Sequence, residues 1–76
     1  MRTEEFKVER HGLLKAGDEV TIRERSTEAF YYYIVEPAQA MSGNFSLANR
    51  ILSRRGVVKE IKEDARGWFA MIEFES

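Results

Sequence analysis

The chain of 76 residues has no cysteine, one histidine, one proline and almost no net charge. Without cysteine there is no disulfide, no thiolate nucleophile and no sulfur-ligated zinc, and a lone histidine cannot make up that donor set. Neither a metal nor a cofactor is expected. Twelve basic residues nearly balance thirteen acidic ones, so no global field draws the protein to polyanions, and any nucleic-acid contact must rest on local segregation of charge. The polar start Met1-Arg2-Thr3-Glu4-Glu5 has no apolar stretch of signal-peptide length, and no run approaches a membrane span. The expectation is a cytoplasmic protein without a membrane partner.

What is present suits one domain, residues 1–76, with a single small core that must hold without covalent staples. Gly17-Asp18 precedes Glu19 to Arg25, where Val20 and Ile22 alternate with polar neighbours, the pattern of a turn feeding a half-buried strand. Phe6 and Val8 alternate in the same way upstream, before His11-Gly12 breaks the pattern. Ala29 to Val35 is the densest run of aromatic and β-branched residues. Both parities there are apolar: Phe30, Tyr32 and Ile34 on one, Tyr31, Tyr33 and Val35 on the other. A small sheet buries one face, so something must cover the second. Pro37 ends the run.

Residues 38–44 read as an irregular connection. From Phe45 the spacing becomes helical, with Phe45, Leu47, Ala48, Ile51 and Leu52 on one side, Asn44 placed as N-cap and Gly56 as terminator. This predicts a short α-helix over 45–54. Two strand-like runs then flank Asp64-Ala65-Arg66-Gly67, suited to a type I turn with a following bulge. In the last strand Trp68, Ala70, Ile72 and Phe74 share one face, while Phe69 and Met71 project to the other. Val58 and Ile61 differ in parity, which a bulge near Lys59-Glu60 reconciles.

The fold class expected is mostly β, a barrel or strongly bent antiparallel sheet. Its strands lie near 5–9, 19–25, 29–36, 57–63 and 68–75, with the one helix before the C-terminal hairpin. The core expected is Val20, Ile22, Phe30, Tyr32, Ile34, Leu47, Ile51, Val58, Ile61, Trp68, Ile72 and Phe74. Gly17-Asp18-Glu19-Val20 opening one strand, and Gly56-Val57-Val58-Lys59-Glu60-Ile61 opening a hairpin that closes on Ile72-Glu73-Phe74, resemble the KOW-type small barrels of the Src-homology-3-like group. The resemblance covers about half the chain at the level of fold. It implies the barrel and leaves RNA binding open. The connection between the two motifs is longer than usual in that group, and the strong basic charge of its ribosomal members is missing.

No nucleophile, base and orienter occur together. His11 sits in a turn without a sequence-near carboxylate that would orient it as a base. Glu60, Glu63 and Asp64 alternate with Lys59, Lys62 and Arg66 as a solvated strand edge does, and Ser42-Gly43-Asn44 is too short to cradle a phosphate. An enzyme is not expected. The surplus of apolar surface points to a protein partner or a homo-oligomer bound through Tyr31, Tyr33, Phe69 and Met71. The alternative is RNA or another single-stranded nucleic acid on a surface where Arg23, Arg25, Arg50, Arg54 and Arg55 converge beside the tyrosines. Whether those arginines gather on one exposed surface or pair with acids separates the two readings.

Overall fold

Six stretches of the chain are extended, five of them where apolar residues alternate or concentrate, and in the computed structural model all six pair antiparallel. They are β1 (Arg2–Val8), β2 (Glu19–Ser26), β3 (Tyr31–Val35), β4 (Ala40–Ser42), β5 (Arg55–Asp64) and β6 (Gly67–Phe74). The structure describes residues 1–37 and 39–75; Ala38, in the predicted irregular connection, and Ser76, at the end of the predicted domain, lie outside the described residues. The order β1-β4-β3-β2-β5-β6 closes on itself because β6 pairs with β1 from Arg2↔Phe74 to Val8↔Trp68. The result is a small closed antiparallel barrel of the size and architecture found among Src-homology-3-like and OB-like domains.

Each end of the barrel carries a stopper. At the end where β1 finishes, residues 9–18 fold back: Leu14 is buried, Leu13 packs on the core, and Gly17 N donates to Val58 O at 2.7 Å. His11 stacks on Trp68 with ring centroids 4.3 Å apart. At the opposite end, where β1 begins and β6 finishes, the crossover 43–54 lies across the opening and inserts Ile51, which is fully buried. The core between them is Phe6, Val8, Val20, Ile22, Tyr33, Val35, Ala40, Val58, Ala70, Ile72 and Phe74.

The C-terminal hairpin matches its reading closely. The register slips between Val58 and Glu60, where a bulge was needed, and Gly67 takes a positive φ of 126° in the turn. Three expectations are corrected. The parity of β3 is reversed: Ile22 pairs with Val35 and Glu24 with Tyr33, so Tyr33 and Val35 face the core while Tyr32 and Ile34 face out and Phe30 lies 46% exposed in the preceding turn. The helix over 45–54 is a 3₁₀ turn, Leu47–Asn49, in an otherwise irregular crossover, with Leu47 and Leu52 each 68% exposed. The connection 38–44 contains a strand, β4, that joins β1 to β3. It ends at Ser42, whose buried Oγ accepts from Tyr33 N at 2.9 Å in place of a ladder carbonyl, and pairing resumes at Tyr31↔Phe45.

Candidate interaction surface

The residues assigned to binding fall into three groups once the barrel is closed. Tyr33 has no exposed surface and Phe69 is 6% exposed, so neither is open to a partner. Phe69 points outward, yet the Arg66 guanidinium stands over its ring at 4.3 Å, and Lys7 and Lys62 flank it across the sheet. The aliphatic stems of such cations cover apolar surface while their heads stay in water. Tyr31 is partly covered by Arg50, whose guanidinium lies 4.5 Å from the ring centroid. Met71 keeps some exposure between Glu5 and Glu60.

The arginines divide as well. Arg50 grips Glu24 with Nε on Oε2 at 2.9 Å and a second nitrogen on Oε1 at 2.6 Å. Arg54 lies 3.8 Å from the same carboxylate and donates to Ile51 O. Arg23 pairs with Glu36 at 2.6 Å. Arg25 and Arg55 are exposed and have no acidic partner among the described residues. The five therefore do not converge as one free patch.

Glu24 is the centre of this end. It projects inward from β2 beside Tyr33, whose Oη donates to Glu24 Oε2 at 2.8 Å and accepts from Ile51 N at 2.9 Å. Arg2 adds a second tie from β1, donating to the carbonyls of Asn49 and Arg50 at 2.9 Å each. The Arg50 guanidinium holds the Glu24 carboxyl below the usual carboxylate range against the opposing effect of burial, and burial raises Tyr33 above the usual phenol. No buried side-chain polar atom is left without a partner among the described residues. The chemistry here is structural: a carboxylate, a phenol and two guanidiniums seat the crossover.

Two apolar surfaces remain uncovered. On the wall, Met41 of β4 is 52% exposed and lies in register between Lys7 of β1 and Ile34 of β3. With Val8, Glu9 and Ala40 they line a shallow groove of about 410 Å³. Arg25 and Tyr32 face out one step further along, in register with one another. At the crossover end, Phe30, Leu47 and Leu52 are exposed. Sequence reasoning missed both surfaces, the first because β4 was not recognised and the second because Leu47 and Phe30 were assigned to the core.

No group of three metal-ligating side chains occurs among the described residues, and no described helix is long and apolar enough to cross a membrane. No family model, curated protein or solved structure matches the chain.

Proposed function

We propose that the domain is a non-catalytic interaction module that binds a partner protein on the outer wall formed by β3, β4 and β1. The observation that supports this is the exposed Met41, set between Ile34 and Lys7 over the groove. It offers an apolar seat for a partner's anchor side chain, with Lys7 and Glu9 at its rim to orient it. The wall is rigid, since each of its strands is hydrogen-bonded into the closed barrel, so little ordering cost falls on binding. A photo-crosslinking residue at position 41, compared with one at Glu60 on the opposite wall, tests the reading. Crosslinks to protein from position 41 that disappear in Ile34→Lys support it. Crosslinks of equal yield from both positions, or none from position 41, overturn it.

A second reading draws on Arg25 and Tyr32, an unpaired guanidinium in register with an outward ring on the same wall. Such a pair suits a single-stranded nucleic acid, one base stacked and one phosphate held. Binding of oligo-uridine that weakens steeply with salt and falls in Tyr32→Ala favours this reading; binding with no salt dependence excludes it.

A further inference from the structure

We propose that the crossover end of the barrel docks on an anionic lipid surface, with Phe30, Leu47 and Leu52 entering the interface and Arg25, Arg54 and Arg55 meeting the headgroups. Of the five large apolar side chains most exposed, Met1, Phe30, Leu47 and Leu52 belong to this end, and Met41 alone stands on the wall. Ile51 and Phe45 already supply the crossover's packing, one buried and the other against the core, so the two leucines are not needed to hold it. They protrude. Phe30, Leu47 and Leu52 line neither the Met41 groove nor the one beside Met1, Arg55 and Phe74. Apolar side chains exposed by 46% at Phe30 and 68% at Leu47 and Leu52 suit a surface that yields around them, as the acyl boundary of a bilayer does.

Charge points the same way. From Pro37 to Lys59 the chain holds Arg50, Arg54, Arg55 and Lys59 and not one acidic residue, so all thirteen acids lie elsewhere. Arg50 is engaged by Glu24, but Arg54 keeps 47% of its side chain exposed, and Arg25 and Arg55 have no acid partner among the described residues. The opposing charges at this end are Glu28, in the turn with Phe30, and Glu19, Glu73 and Glu75, which line a groove with Met1 and Arg55; Glu73 lies 3.8 Å from Lys59, and Glu24 and Glu4 are paired within the chain. Diffuse cations around apolar points match the negative potential of a membrane surface. Tyr33 is buried and Tyr31 lies under Arg50, so neither ring offers a nucleic acid a stacking platform at the crossover, and the outward Tyr32 stands on β3. The ties from Arg2, Glu24 and Tyr33 hold the crossover in place, so its side chains are presented in a fixed arrangement.

Co-sedimentation with two kinds of vesicle tests the proposal: phosphatidylcholine alone, and about three parts phosphatidylcholine to one of phosphatidylglycerol, at ~50 and ~300 mM salt. The protein is expected on the anionic vesicles, at least about fivefold less at the higher salt and about tenfold less in the Leu47→Ser/Leu52→Ser double variant, whose melting temperature stays that of the parent. Glu28→Lys is expected to bind about fivefold more tightly. Absence of binding to anionic vesicles at low salt overturns the proposal, as does equal binding to phosphatidylcholine alone or full binding by the double variant. So does displacement from the vesicles by oligo-uridine or polyglutamate that the double variant still binds as well as the parent. The Met41 wall is not touched by these variants, so failure here leaves that reading standing.

Discussion

Ile51 N donates to Tyr33 Oη at 2.9 Å, and the same oxygen donates to Glu24 Oε2 at 2.8 Å, so one phenol joins the crossover to the barrel wall. Tyr33→Phe keeps the ring and removes the oxygen, leaving the buried Ile51 N–H without an acceptor. The expected cost is about 1–3 kcal/mol, read from urea unfolding. Hydrogen exchange at the Ile51 amide should quicken by more than at core amides of β1 and β6, because the crossover loosens before the barrel opens.

Acid should loosen the same latch. The Arg50 guanidinium, chiefly by its hydrogen bonds, holds the folded Glu24 carboxyl below its unfolded value. Its stabilising contribution is therefore complete above the usual glutamate range of about 4.3 and is lost as pH falls through the lower folded value. Melting temperature measured from pH 7 downward should drop more steeply below about pH 4 in the parent than in Glu24→Gln. Parallel curves would show that Glu24 is not the group responsible.

Gly56 serves the packing rather than a helix end. A Cβ there would lie 2.6 Å from Phe74 Cε1 and 2.7 Å from Ile72 Cγ2, and those rings and methyls are fully enclosed. Gly56→Ala should cost about 1–3 kcal/mol through overpacking. Gly43→Ala, with nothing within 4 Å of its Cβ, should stay within about 0.5 kcal/mol of the parent. Chemical unfolding of the two variants side by side checks the contrast.

His11 and Trp68 stack at 4.3 Å, tying the 9–18 segment to the hairpin. Trp68 is the one tryptophan of the chain, so its fluorescence reports this contact directly. His11→Ala should shift the emission to longer wavelength and cost about 0.5–1 kcal/mol. An unchanged emission maximum would mean that the imidazole does not cover the indole in solution.

The hairpin and β2 were legible because a glycine or aspartate marks each turn and one face of each strand is unambiguously apolar. In β3 the two parities compete, and local pattern cannot choose between Tyr32 and Tyr33. The choice is made by the register Ile22↔Val35, a pairing between strands that local composition does not encode. The apolar spacing from Phe45 to Leu52 imitated a helix because Phe45 and Ile51 both turn inward, but they do so through long-range ties to Tyr31 and Tyr33 rather than through helical periodicity. β4 has three residues, too few for an alternation to register. The arginine surface dissolved for a related reason. Arg50 and Glu24 are far apart in sequence, and their pairing depends on the crossover coming to rest over β2. The acid-free run 37–59 was open to inspection from the start; what could not be seen was that its apolar members share one end of a barrel.

The pairing of Arg2 with Phe74 has a consequence for how the molecule comes into being. β1 precedes the other five strands of the barrel in chain order and has its longest ladder with β6, which follows them, so during synthesis it must wait, flanked by nothing better than the three residues of β4, until Phe74 has left the exit tunnel. Closure is thus a late and non-local event, and the slow step of folding should lie there. A circular permutant that joins the two ends by a short linker and opens the chain within 9–18 would turn that last encounter into a local hairpin, and the barrel should then close faster while its strand order stays the same.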